Sequence, residues 1–108
     1  MNITVYCGAS AGSEPIYEQK ASELGQWLAA HDITLVYGGG RTGLMGKLAN
    51  AVLANGGKAV GVIPEFLKTA EEVHTGLTQL ITVDTMSQRK DTMLQMGDAF
   101  IALPGGAG

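Results

Sequence analysis

The sequence is poor in cysteine and in positive charge. Its one cysteine, Cys7, has no partner for a disulfide within the chain. Seven lysines and arginines against ten aspartates and glutamates give a formal net charge of -3, so the basic surface typical of nucleic-acid binding is missing. Cys7, His31 and His74 are too few and too scattered to predict a metal site. We therefore expect neither a metal ion nor a nucleic-acid partner.

Long hydrophobic runs are also missing. No apolar stretch approaches the roughly 18 to 20 residues that cross a bilayer. The opening residues, MNITVYCGAS, lack the basic start and apolar core of a secretory signal. At 45% hydrophobic and 16% charged residues, the composition is that of a folded globular domain rather than a disordered chain. These features predict a soluble cytoplasmic protein without a membrane partner.

Short apolar runs alternate with segments of helical spacing along the whole chain. The runs are apolar throughout, as in parallel strands covered on both faces, and the alternation is typical of right-handed βαβ units. The sequence therefore predicts an α/β fold, a parallel doubly wound (Rossmann-like) sheet with helices on both faces, in a single domain over residues 1–108. We expect strands at 3–7, 33–37, 59–63, 80–84 and 99–103, and helices at about 15–31, 45–54, 68–73 (short) and 86–97.

Glycine, by contrast, is abundant and clustered. Its 16 occurrences are about twice the average share. Clusters follow three predicted strands, at Gly8, at Gly38 to Gly40, and at Gly105 and Gly106. Ligands of open α/β sheets bind at this edge, and glycine lets the backbone approach them closely. A single cluster is better explained by a tight turn, but three on one edge favour a phosphate-bearing ligand.

Two smaller signals bear on that ligand. Gly38, Gly40 and Gly43 match the spacing G-x-G-x-x-G, which would indicate a nicotinamide-dependent oxidoreductase, but a run of three glycines satisfies it easily and it follows the second strand rather than the first. Arg89 and Lys90 stand in the first turn of a predicted helix, where the helix dipole does not favour cations. They indicate either a compensating anion at the same edge or a solvated surface pair.

Taken in order, five motifs resemble those of the Lonely Guy family, over essentially all 108 residues: CGAS, YGGGRTGLMG, GVIP, MSQRKDTM and LPGGAG. Members of this family are often misnamed lysine decarboxylases, although nothing in the sequence resembles a pyridoxal-phosphate lysine site. The resemblance implies a homodimeric, Rossmann-like phosphoribohydrolase that needs no cofactor. Such an enzyme hydrolyses the N-glycosidic bond of AMP or of N6-modified (cytokinin) nucleoside 5'-monophosphates to free base and ribose 5-phosphate.

The resemblance also implies the site residues. Arg89 matches the family's catalytic arginine and Lys90 its neighbouring lysine. Glu71 resembles a substrate-contacting glutamate, although the adjacent Glu72 fits nearly as well. The other substrate-binding residues it implies are Ser10 and Gly39, which line the nucleotide pocket, and the phosphate-binding stretch Gly105, Gly106, Ala107 and Gly108.

The sequence departs from the family pattern at two places. Ser87 stands where the family commonly has histidine, a mild change because Arg89 and Lys90 remain. The family pattern Pro-Gly-Gly-x-Gly-Thr-x-x-Glu is present only as far as Gly108, and cleavage of a glycosidic bond needs a carboxylate beside its oxocarbenium-like transition state. We therefore expect the 108 residues to be part of a longer protein, with the domain incomplete at its carboxyl end, and to be a weak enzyme alone. The alternative from another class is a non-catalytic carrier of a phosphorylated ligand such as the molybdenum cofactor.

Overall fold

A computed structural model describes residues 1–6, 15–69 and 72–103 of the chain. These residues form a five-stranded sheet in which every pairing is parallel, which confirms the predicted α/β class. The strands are β1 (Asn2–Tyr6), β2 (Thr34–Tyr37), β3 (Ala59–Pro64), β4 (Gln79–Val83) and β5 (Ala99–Ala102), and the helices are α1 (Pro15–Ala30), α2 (Gly43–Ala54) and α3 (Met86–Met96), with a 3-10 turn at Glu65–Leu67.

The strand order β4-β3-β2-β1-β5 places the helices on both faces. The first four strands are added side by side in one direction, and β5 then returns to the free side of β1. Because crossovers are right-handed, α1 and α2 cover one face and α3, which leads back to β5, covers the other. The order of the strands reverses between β1 and β5, which is where ligands of such sheets bind. The loops after these two strands, at 7–14 and 104–108, lie outside the described residues.

Two hydrophobic clusters hold the layers together. The larger lies between the sheet and the α1–α2 pair and includes Leu28, Leu35 and Leu48, each fully buried. The smaller lies under α3, where Met93 packs on the valines of β2 and β3. The sheet is therefore covered on both faces along its central strands. On the edge strands the expectation of full cover is wrong, since Leu80 of β4 and Phe100 of β5 are exposed.

One local expectation is also wrong. The short helix expected at 68–73 is absent from residues 68, 69, 72 and 73; a 3-10 turn comes earlier, at Glu65–Leu67, and Val73 forms a bridge to Gly40 instead. Trp27 of α1 is exposed and its ring lies against that of His31. In α3, Met93 is buried and Met86 is exposed. Within the described ranges, no helix has the length and apolar character to span a bilayer.

Candidate functional site

The glycine triad, Gly38 to Gly40, forms the turn between β2 and α2, and protein donors bind all three of its carbonyl oxygens. The Gly38 oxygen accepts from Nη2 of Arg89 at 2.7 Å, and the Gly39 oxygen from the main-chain N–H of His74 at 2.8 Å. The hydroxyl of Tyr37 donates to the Gly40 oxygen at 2.7 Å. The carbonyl oxygens of the triad are therefore all bound within the protein.

Glycine is required in this turn for two physical reasons. Gly39 has a φ of +86°, the left-handed region that side chains rarely tolerate. A Cβ atom on Gly38 would lie 2.6 Å from Nη2 of Arg89, so a side chain at this position would displace the guanidinium from its present contact. The glycines predicted to serve a ligand thus also serve the contact between the turn and Arg89.

Arg89 lies at the beginning of α3, where a capping box fixes the helix start. The Thr85 side chain accepts from the Gln88 N–H at 3.1 Å, and the Gln88 side chain accepts from the Thr85 N–H at 3.2 Å. From the next position Arg89 extends across the sheet edge, where its Nε donates to the Val62 oxygen at 2.9 Å and its Nη2 donates to Gly38. The arginine therefore joins the carboxyl ends of β2 and β3.

These contacts explain how a cation is accommodated in the first turn of a helix. Carbonyl oxygens at the ends of parallel strands offset the unfavourable helix dipole, so the fold itself supplies negative partners for Arg89. A ligand anion is therefore not needed to account for its position. Both printed partners are neutral carbonyl groups, so these two contacts leave the formal charge of the guanidinium in place. Lys90, the next residue, is exposed.

A second chain segment, residues 72–75, lies beside the triad, and we call this side of the triad its outer flank. The main-chain N–H of Arg41 donates to the Glu72 oxygen at 2.9 Å, beside the bond from His74 to Gly39. The side chains of Arg41 and Glu72 form an ion pair of 3.2 Å. Glu72, the alternative to Glu71 as a substrate contact, is thus paired with Arg41, and Glu71 itself lies outside the described residues.

His74 is held in one tautomer on this flank. Its Nδ1 accepts from the Gly76 N–H at 2.9 Å, and its Nε2 lies 2.7 Å from Oδ1 of Asn50 on α2. Burial, and secondarily the positive charge of Arg41, lowers the pKa of His74 from its usual 6.5. A cavity of about 230 Å³ lies here, lined by Arg41, Asn50, His74 and Thr75.

Of the predicted site residues, Arg89 of α3 contacts the turn that contains Gly39, through the Gly38 oxygen, and Lys90, the next residue along α3, is exposed. Ser10, Glu71, Gly105, Gly106, Ala107 and Gly108 lie outside the described residues. Sequence reasoning missed Tyr37, whose only signal is an aromatic hydroxyl directly before a run of glycines. Among the residues that the structure describes, no three His, Cys, Asp or Glu side chains gather as metal ligands.

The model of a family described as possible lysine decarboxylase matches residues 45–108. A Rhodococcoides fascians protein named cytokinin riboside 5'-monophosphate phosphoribohydrolase is 54% identical over 108 residues, which are 99% of this chain and 54% of that protein. An Arabidopsis thaliana protein of the same name is 45% identical, over 98% of this chain and 50% of its own length. The chain thus spans about half the length of the curated relatives it matches.

Solved structures share the fold at lower identity. A molybdenum cofactor carrier protein from Chlamydomonas reinhardtii superposes with a TM-score of 0.81 at 24% identity, over 99% of this chain and 63% of that one. A molybdenum cofactor binding protein from Rippkaea orientalis gives a TM-score of 0.77 at 22% identity, over 94% and 61%. At such identities the likeness establishes the Rossmann-like architecture alone.

Proposed function

The chain belongs to the family described as possible lysine decarboxylase, and we propose that it acts as a nucleoside 5'-monophosphate phosphoribohydrolase. The reaction is hydrolysis of the N-glycosidic bond of AMP or of an N6-modified (cytokinin) nucleotide, which yields the free base and ribose 5-phosphate. The names of the relatives at 45 and 54% identity support this proposal. The observation that carries it is the guanidinium of Arg89, fixed by two backbone carbonyls against the glycine triad.

In this proposal the triad and Arg89 hold the anionic part of the nucleotide. Glycines let the backbone of the triad approach a phosphate closely, and a guanidinium binds phosphate oxygens with a fixed planar fork. Because Nε and Nη2 of Arg89 are already bound to Val62 and Gly38, the fork does not have to be ordered when substrate arrives. Arg89 is thus the catalytic arginine, and the exposed Lys90 adds a second positive charge.

The remaining proposed roles come from the family resemblance. Ser10 and Gly39 line the nucleotide pocket, Gly105 to Gly108 bind the phosphate, and Glu71 contacts the substrate. Arginine cannot stabilise an oxocarbenium-like transition state, which requires a carboxylate that also activates water. The family pattern provides this carboxylate from the glutamate of Pro-Gly-Gly-x-Gly-Thr-x-x-Glu. We extend the proposal to a cytoplasmic homodimer that uses no cofactor.

Chromatographic detection of free base tests the proposal directly. The intact, full-length protein is purified and incubated with AMP and, separately, with isopentenyl-AMP, and adenine or isopentenyladenine is quantified. Arg89→Lys keeps the charge but cannot reproduce the two carbonyl contacts, and we expect base release to fall roughly 100-fold, as for loss of one oriented donor. Lys47→Ala, which removes an exposed cation of α2, is the control and should retain the wild-type rate. Absence of free base from both nucleotides with folded protein would contradict the proposal.

The alternative of a molybdenum-cofactor carrier rests on fold likeness at 22 to 24% identity. That likeness carries no ligand with it, so the carrier is the less favoured function. Bound pterin in the purified protein, together with no hydrolysis of either nucleotide, would reverse this preference.

A further inference from the structure

The cavity on the outer flank of the triad lies between α2 and residues 74 and 75. Its four lining residues, Arg41, Asn50, His74 and Thr75, are all polar or charged. Its volume of about 230 Å³ is below the roughly 300 to 1,000 Å³ of pockets for drug-sized ligands. Space and polarity together suit an ion or a very small polar molecule.

A relay of hydrogen bonds sets which atoms of Asn50 are available. The main-chain N–H of Gly76 can only donate, so Nδ1 of His74 must accept. A neutral ring then carries its proton on Nε2, which donates to Oδ1 of Asn50 at 2.7 Å. The oxygen of the Asn50 amide is thereby occupied, and Nδ2 with its two N–H groups is what Asn50 offers to the cavity.

The other lining residues are donors as well. Arg41 brings a positive charge and several N–H groups, and the exposed Thr75 brings a hydroxyl. The negatively charged group beside these donors is the carboxylate of Glu72, which lies 3.2 Å from Nη2 of Arg41. Both side chains of this pair are more than half exposed, at 58% and 57%, and such pairs contribute at most about 1 kcal/mol. Glu72 is therefore an exchangeable partner, not a fixed one.

We propose that this cavity is a binding site for a small oxyanion, a phosphate or a carboxylate, held by the Arg41 guanidinium, the Asn50 amide and the Thr75 hydroxyl in competition with Glu72. The site adjoins the one proposed for the nucleotide, since the main-chain N–H of His74 donates to Gly39, but it uses a different arginine. Arg89 contacts the triad at Gly38 and joins it to β3, whereas Arg41 follows the triad and faces residues 72 to 75. The oxyanion site does not rest on the proposed hydrolase activity.

Titrations followed by ¹⁵N–¹H NMR at constant ionic strength test the site with two probes, inorganic phosphate and acetate. We expect saturable shifts of the Asn50 side-chain amide and of the Thr75 and Gly76 main-chain signals with at least one probe. Tighter binding of phosphate identifies a phosphate site, and tighter binding of acetate identifies a carboxylate site. The Nε–H signal of Arg89 reports separately on the proposed nucleotide site, so either site can fail without the other.

Three variants and a control make the test specific. Asn50→Asp keeps an oxygen for His74 but replaces the two N–H donors, and Arg41→Gln removes the charge; each should weaken binding about tenfold or more. Glu72→Gln removes the competitor and should tighten binding a few-fold. Lys47→Gln removes a charge of α2 that does not line the cavity and should leave affinity unchanged. An unshifted Asn50 amide with both probes, or equal weakening in Arg41→Gln and Lys47→Gln, would overturn the proposal.

Discussion

Two arginines flank the same glycine triad in opposite settings. Arg89 is partly buried and donates to two backbone carbonyls, those of Val62 and Gly38. Arg41 is mostly exposed and its side chain pairs with the carboxylate of Glu72. The partners of Arg89 cannot move away, because they belong to the ends of central strands, whereas the partner of Arg41 is a flexible side chain. The position of Arg89 is thus part of the fold, and the ion pair of Arg41 is open to exchange.

Replacement of each arginine by methionine tests most directly whether the two settings differ in their contribution to stability. Arg89→Met removes the charged donor from two carbonyls. Hydrogen bonds to charged groups contribute about 1.5 to 3 kcal/mol each, and water can replace part of the lost interaction. We therefore expect a loss of about 2 kcal/mol in the free energy of unfolding. Arg41→Met should cost less than about 0.5 kcal/mol, because exposed pairs contribute little. Urea denaturation followed by circular dichroism measures both. Equal losses would show that the two settings do not differ energetically.

Loss of the hydrogen bond at Gly40, the last residue of the triad, is expected to have the next largest effect on stability. Tyr37 is fully buried and its hydroxyl donates to the Gly40 oxygen. Tyr37→Phe keeps the ring but leaves that carbonyl without this donor, and we expect a loss of about 1 to 1.5 kcal/mol in urea denaturation. Tyr17→Phe, on the half-buried Tyr17 of α1, is the matched control and should be close to neutral. A neutral Tyr37→Phe would show that the triad does not depend on this bond.

The fold and the family could be predicted from the sequence because both depend on residue types. Alternating apolar runs predicted the parallel sheet, and the ordered motifs predicted the family to which the chain belongs. The spacing also placed Arg89 at the carboxyl edge of the sheet. Its partners were not predictable, since Val62 and Gly38 contribute main-chain oxygens that any residue possesses.

The contacts of the outer flank were even less predictable from the sequence. Residues 72 to 74 contact the triad through main-chain hydrogen bonds that join segments about thirty residues apart, and these bonds override the local helical tendency that suggested a helix at 68–73. The sequence alone indicates His74 only as a possible metal ligand. Its contacts with Gly76 and Asn50 depend on that tertiary pairing, which no local pattern signals.

The smallest expected effect is a dependence of stability on pH that arises from His74. Because its pKa is lowered in the folded protein, the unfolded chain binds more protons, and the free energy of unfolding should be greatest above pH 6.5 and fall as the pH is lowered through 6.5 toward the folded-state pKa. Burial is the larger cause and the charge of Arg41 the smaller, so Arg41→Gln should retain the fall but make it shallower. Urea denaturation of both proteins between about pH 5.5 and 7.5, the range in which histidine titrates, measures the difference. A steeper fall in the free energy of unfolding in Arg41→Gln would mean that Arg41 does not oppose protonation of His74. The outer flank would then lack the electrostatic interaction between Arg41 and His74 that distinguishes it from the Arg89 side of the triad.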